Sequence, residues 1–249
     1  MKILVCISSV PDTTTKISFT ENNTALNTTG VQFVINPNDE FALTRALQLK
    51  ESNPGSTVIV IHVGLAKSDP IIRKSLAIGA DSAIRIDTEA VDALQVSGEI
   101  AEYVKLNPFD LILTGKESID FNGAIVPHAL GELLKIPSVS PCTALDINGT
   151  EAKLTGVVDG GKEELTASLP VVAGGQKGMV EEKELRIPNM RGIMQARTKP
   201  LTVVTASGSA FAQKVTTYDS PAQKAACKII DANNVEELVN LLQNEAKVI

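Results

Sequence analysis

The chain has 249 residues, 43% of them apolar, 21% charged and 3% aromatic, with no Trp and a formal net charge of −6. That length suits one large unit with an extension, built on an aliphatic core, since single cores stop growing near roughly 250–300 residues. The acidic balance excludes the positive footprint of a nucleic-acid binder, three scattered cysteines (Cys6, Cys142, Cys227) give no metal spacing and no even disulfide framework, and no apolar run reaches the ~20 residues of a membrane span.

Residues 2–8 read as a buried strand, entered directly from Met1 with no charged-then-apolar leader. That start and the odd cysteine count point to a soluble, cytoplasmic protein without membrane insertion. The Thr- and Asn-rich stretch 12–27 is expected to be a loop or weak hairpin. Asn36-Pro37-Asn38-Asp39 opens a helix running to about residue 50, and Asn53-Pro54-Gly55 closes it. Strand 57–64 follows, then a helix from Asp69-Pro70 to Gly79, with a capping Asp, a first-turn Pro and a terminal Gly. Strand 83–87, helix 90–105, strand 110–115 and helix 125–134 continue the alternation. Strands and helices in turn imply βαβ units, hence a Rossmann-like α/β fold: a mostly parallel sheet with helices on both faces.

After Pro137 the pattern changes to strands at 138–145, 151–158 and 164–169, divided by Asn148-Gly149 and Asp159-Gly160-Gly161. Such dipeptides are hairpin turns, so an antiparallel excursion joins the sheet. Residues 170–175 return to the core. The α/β domain is drawn over 1–200, and 201–249 form a C-terminal arm with a last helix at 235–246, long enough to embrace a partner.

No Gly-x-Gly-x-x-Gly and no Gly-x-x-x-x-Gly-Lys-Ser/Thr phosphate loop is present. In open parallel sheets, ligands sit beyond the carboxyl ends of the strands, where strand order reverses. Residues 115–126 are the candidate there, with the amides at a helix start facing a phosphate; an ordinary β–α loop is the plainer reading of spacing alone. Two separated histidines make no metal site. His62 reads as a packed side chain in an apolar strand, and His128 stands near a helix start within reach of a phosphate. No nucleophile–base–acid set is apparent, so no catalytic residue is assigned. The segment 183–200, KELRIPNMRGIMQARTKP, interleaves basic residues with Ile187, Met190, Ile193 and Met194. A solvated basic loop is the bland reading; apolar anchors inside a charged rim are the pattern of a docking surface.

At this point a resemblance appears. Arg186-Ile187-Pro188-Asn189-Met190-Arg191-Gly192-Ile193-Met194-Gln195-Ala196-Arg197, followed by Lys199-Pro200, looks like the signature of the electron-transfer flavoprotein β subunit. Gly115-Lys116-Glu117-Ser118-Ile119-Asp120, the Asp159-Gly160-Gly161 turn, the run from Ile72 to Asp81, Asn36-Pro37 and the ending Glu245-Ala246-Lys247-Val248-Ile249 resemble that family in the same order. The similarity spans essentially the whole chain.

The resemblance implies a heterodimer with a larger α subunit that holds most of a redox FAD, while the β chain buries an adenine nucleotide, usually AMP. By motif position the nucleotide lies against Cys6, Asn36, Pro37, Asn38, Asp39, Val63 and the run from Gly115 through Val126. Family members commonly carry polar residues after the Asp of that loop; here the run is Phe121-Asn122-Gly123-Ala124-Ile125-Val126-Pro127, which leaves backbone amides as donors. Thr13 stands where several relatives place an aromatic against the flavin. Arg186, Ile187, Met190, Arg191, Ile193, Met194 and Arg197 match the recognition loop that docks on acyl-CoA and other dehydrogenases, with a quinone-linked oxidoreductase downstream. The expectation is an electron carrier. The alternatives are a bifurcating complex with a second FAD in the β chain and NADH as donor, and a free-standing nucleotide-binding regulatory module.

Overall fold

The computed structural model describes residues 1–20, 22–210, 212–224 and 226–249. Two short strands follow β1 (Lys2–Cys6): β2 (Ser9–Pro11) and β3 (Phe33–Ile35), which pair antiparallel with each other. Then come α1 (Pro37–Ser52), β4 (Thr57–Val63), α2 (Asp69–Ile78), β5 (Ser82–Asp87), α3 (Ala93–Leu106), β6 (Leu111–Gly115) and α4 (Val126–Leu134). The second half holds β7 (Ser138–Asn148), β8 (Glu151–Val158), β9 (Gly161–Ser168), β10 (Val171–Gly175), α5 (Met190–Ala196), β11 (Leu201–Thr205) and α6 (Val235–Asn240), which runs on as a π-helical turn, Leu241–Ala246. The α/β reading holds.

The described residues form one nine-stranded sheet in the order β11-β5-β4-β1-β6-β10-β7-β8-β9. Every pair from β11 to β7 is parallel, and β7–β8 and β8–β9 are antiparallel. Gly149 and Gly160 carry the positive φ (61° and 88°) that the two hairpin turns demand. β11 pairs with β5 along its whole length, so the sheet takes in residues 201–205 beyond the boundary drawn from sequence.

Strand alternation sorts the core into two layers. Ile3 and Val5 of β1 join Leu43, Leu47, Ile72 and Leu76 of α1 and α2. Leu4 and Cys6 point the other way, toward Ile100 and Val104 of α3 and Leu130 of α4. With both faces covered, the central strands are mostly apolar, as suits buried parallel strands. Arg45 on α1 reaches the Leu145 carbonyl of β7 at 2.8 Å and so braces the antiparallel end.

Strand order reverses beside β1. The chain leaves β1 through α1 toward β4, and leaves β6, on the other side of β1, through α4 toward β7 and β10. The carboxyl ends of β1 and β6 therefore part and open a crevice.

Candidate functional site

A cavity of about 350 Å³ occupies that crevice. Cys6, Ile7 and Ser8 line it after β1, Ile61, His62 and Val63 at the end of β4, and Thr114 and Gly115 at the end of β6. The β6–α4 loop adds Glu117, Ser118, Asp120, Phe121 and the stretch from Gly123 to Val126. Val91, Asp92, Leu94 and Val96 come from the start of α3, and Gln213 and Val215 from the C-terminal arm.

Asp39 closes the bottom of the crevice. Its Oδ2 accepts the Ser8 amide at 2.7 Å, and its Oδ1 accepts the Gly115 amide at 2.8 Å and the Asn36 side-chain amide at 2.9 Å. Burial pushes the Asp39 carboxyl up to about 7, against the pull of those hydrogen bonds from Ser8, Asn36 and Gly115. Burial likewise raises the Cys6 thiol far above its ordinary range, with the neighbouring Asp39 charge adding to the effect. Cys6 is thus an uncharged wall group rather than a nucleophile.

The sequence-assigned residues divide into wall and support. Cys6, Asp39, Val63, Gly115, Glu117, Ser118, Asp120, Phe121 and the Gly123–Val126 stretch line the cavity. The other assigned residues stand behind it. Asn36 is fully buried. Its amide group donates to the Glu117 carbonyl at 2.9 Å and its Oδ1 accepts the Ile119 amide at 3.2 Å. Asn38 donates to the same Glu117 carbonyl at 3.1 Å, the Lys116 amide donates to Gly175 at 2.8 Å, and the Asn122 amide to Ser118 at 2.8 Å. Pro37 opens α1. These groups hold the loop in shape.

The loop conformation adds backbone donors alongside the Ser118 hydroxyl. Asn122 and Ala124 both take left-handed backbone (φ 50° and 51°), while Ile125 is right-handed. A left-handed residue followed by a right-handed one, as at Ala124 and Ile125, turns successive amides to one side, the geometry of an anion-binding nest. Ile125 is the N-cap of α4 and offers no side-chain cap, whereas α3 is capped by Asp92, whose side chain accepts from Gln95. Of the starts of α3 and α4, both at the cavity, that of α4 is the one without a side-chain cap. Among the described residues, the wall carries the carboxylates of Asp39, Asp92, Glu117 and Asp120 and no Lys or Arg, so what it offers an anion is uncharged donors, backbone amides and the hydroxyls of Ser8, Ser9 and Ser118.

The histidines take different roles. His62 Nδ1 lies 2.7 Å from the Ile7 carbonyl, which only accepts, so Nδ1 carries the proton. Burial lowers its pKa, and the ring is a neutral part of the wall. His128 turns away from the cavity toward β7, with Nδ1 3.2 Å from Ser138 Oγ and Nε2 3.3 Å from the Ser140 carbonyl. The described residues contain no group of three or more His, Cys, Asp or Glu placed to hold a metal. They contain no helix long and apolar enough to cross a membrane.

Sequence reasoning missed the α3 and arm walls. A helix start after β5, at the carboxyl edge of a parallel sheet, was a usable signal for Val91 and Asp92. Nothing in the sequence announced Gln213 or Val215.

The 183–200 segment lies elsewhere, on α2. Gly192 of α5 seats against the Ala77 carbonyl so closely that a Cβ would stand 2.2 Å from it. Arg73 donates to the carbonyls of Ala196 (2.8 Å) and Lys199 (2.7 Å), and Lys199 Nζ to those of Leu76 (2.9 Å) and Ala80 (2.6 Å). The last turns of α2 and α5 are thus tied together. Arg186 forms a two-pronged pair with Glu51 of α1 at 2.7 and 2.6 Å, which fixes the approach to α5. Outside this brace, Ile187 (82% exposed), Met190 (77%) and Met194 (68%) form an uncovered apolar row with Ile193, flanked by exposed Arg191 and Arg197.

A family model described as "Electron transfer flavoprotein domain" matches residues 24–209. The chain is 34% identical over 252 residues to a protein of Syntrophomonas wolfei named electron transfer flavoprotein subunit beta, covering 100% of this chain and 98% of that protein. It is likewise 34% identical to the Bacillus subtilis protein of the same name, over the full length of both. Similarity also extends to the caffeyl-CoA reductase-Etf complex subunit CarD of Acetobacterium woodii, 31% identical over 82% of this chain and 78% of that protein.

Proposed function

Since the chain belongs to the electron transfer flavoprotein family, we propose that it is the β subunit of a heterodimeric electron carrier. It holds AMP in the switch-point cavity and presents the α5 row to electron-donating dehydrogenases, acyl-CoA dehydrogenases among them. An FAD held mainly by an α partner supplies the electron-accepting chemistry when bound, with a quinone-linked oxidoreductase downstream. On this reading the chain positions and docks, and no catalytic acid or base is assigned among its described residues.

The observation that carries the reading is the cavity itself. At about 350 Å³ it lies at the low end of small-molecule sites, a size that suits a mononucleotide. Its residues fit AMP: Val63, Val91 and Leu94 offer apolar walls to a base, and the left–right pair Ala124–Ile125 and the uncapped start of α4 offer amides to a phosphate. The α5 row has the anatomy of a docking surface, with methionines that adapt to more than one partner and a basic rim that orients acidic ones. The exposed apolar side chains of α6, Val235, Leu238 and Val239, suit an arm laid on the α partner.

The similarity to the Acetobacterium woodii complex subunit favours one second reading, a bifurcating assembly with FAD instead of AMP in the β chain and NADH as donor. The test is the cofactor content of the chain purified with its α partner, released by denaturation and separated by chromatography. One FAD and one AMP per heterodimer supports the carrier. Two FADs without AMP transfers the case to bifurcation, and one FAD alone removes the nucleotide from the proposal. A stable chain that never takes an α partner leaves the regulatory module.

A further inference from the structure

After β11 the chain does not leave the domain. Glu99 of α3, only 2% exposed, gathers it at once. Glu99 Oε2 accepts the Ser207 amide at 2.7 Å and its hydroxyl at 2.9 Å, and Oε1 accepts the amides of Gly208 at 2.9 Å and Ser209 at 2.8 Å. Burial alone would raise this carboxyl, but the donors at Ser207, Ser209 and Gly208 together hold it below its ordinary range. The approach is close enough that a Cβ on Gly98 would stand 2.8 Å from Ser209.

Asp92 fastens the next stretch. One oxygen caps α3 through the Gln95 amide at 2.7 Å, and the other takes the amides of Ala212 at 2.6 Å and Gln213 at 2.7 Å. Gln213 and Val215 then join the wall of the cavity. Beyond it, the Tyr218 amide donates to the Asn23 carbonyl at 2.7 Å, and the Tyr218 ring stacks on Phe19 with centroids 4.9 Å apart. The arm is thus anchored both before and after Gln213 and Val215 along the chain.

We infer that this stretch of the arm is part of the nucleotide site, with Gln213 holding the base. The inference rests on the nucleotide reading above. Gln213 brings the only primary amide among the described wall residues, with a donor and an acceptor side by side. That pair matches the adjacent donor and acceptor on an edge of adenine. Val215 adds to the apolar wall that Val91 and Leu94 also supply, from which a flat base excludes water. Glu99 and Asp92 are positioning residues: they fix the backbone from which Gln213 projects.

The test titrates AMP and, separately, ribose 5-phosphate into the full chain and into Gln213→Ala and Glu99→Gln variants, with amide hydrogen exchange followed on the arm. Gln213 is exposed, so its variant keeps the fold whatever Glu99→Gln does. The expected result is that Gln213→Ala weakens AMP about tenfold, the worth of one or two hydrogen bonds, and leaves ribose 5-phosphate, which has no base, unchanged. AMP is expected to slow exchange at Ser207, Gly208, Ser209, Ala212 and Gln213, and Glu99→Gln to abolish that protection. AMP binding within twofold of the parent in Gln213→Ala, or AMP binding that leaves those amides unprotected, overturns the role of the arm while the site stands. A parent chain that binds neither probe and releases no nucleotide on denaturation overturns the site and the inference together.

Discussion

The amide of Gly115 donates to Asp39 Oδ1 at 2.8 Å, and a Cβ on residue 115 would lie 2.4 Å from that same oxygen. Asp39 also takes the Ser8 amide at 2.7 Å, so one carboxylate joins the ends of β1 and β6 where the sheet parts. The cavity floor depends on residue 115 having no side chain and on residue 39 accepting hydrogen bonds from both strands.

Gly115→Ala is expected to lower stability by about 1–3 kcal/mol, the usual cost of overfilling a closed space. Urea unfolding measures it, and nucleotide content should fall in the same variant. An unchanged midpoint with full nucleotide content would show that the floor gives way more easily than its geometry suggests.

Asp39 sets a pH dependence. Burial lifts its folded pKa to about 7 from 3.8, so the folded state binds the extra proton between those values. The contribution of Asp39 to stability is therefore greatest in acid, falls as pH rises from about 4 to about 7, and is level above that. Stability of the parent relative to Asp39→Asn should follow this course in unfolding experiments at a series of pH values. A difference that stays flat through this range means Asp39 is ionised throughout.

The β6–α4 loop should tolerate loss of its side chains and not of its backbone shape. Ala124 sits at φ 51°, where a β-branched residue is strongly disfavoured. Ala124→Gly is expected to keep AMP, and Ala124→Val to lose it at a cost of about 1–3 kcal/mol of strain. Equal AMP binding in the two variants would count against an amide nest.

Two changes on α5 should separate docking from support. Met190→Ala removes an exposed anchor and should change stability by no more than about 0.5 kcal/mol, while slowing reduction of the heterodimer by its dehydrogenase with FAD retained. Gly192→Ala forces a Cβ to 2.2 Å from the Ala77 carbonyl, which is backbone and yields little. It should cost about 1–3 kcal/mol and displace the whole row. Stopped-flow reduction and urea unfolding read the pair; unchanged kinetics in Met190→Ala would remove the row from docking.

The framework was legible because its signals are local. Apolar runs marked the parallel strands, Asp69-Pro70 and Gly79 bracketed α2, and Asn148-Gly149 and Asp159-Gly160 announced the hairpins, whose turns Gly149 and Gly160 complete with positive φ. The short β2–β3 pair was not read from the sequence, since three-residue strands carry too little periodicity. The start of α3 was read three residues early, at 90 rather than Ala93, because Val91 continues the apolar pattern while Asp92 is the cap.

The sequence by itself determined the fold class, the carboxyl-edge loop as the ligand candidate and the apolar–basic segment as a docking candidate, because each follows from residue types at short spacing. Only the tertiary structure decided how those parts are used. It turned Asn36 and Asn38 into supports of the loop, drew Arg186 onto Glu51, and brought Gln213 and Val215 to a cavity whose other walls lie far earlier in the chain. Those outcomes depend on strand order and on hydrogen bonds between distant segments, such as Asp92 to Gln213 and Glu99 to Ser207, which no local pattern encodes.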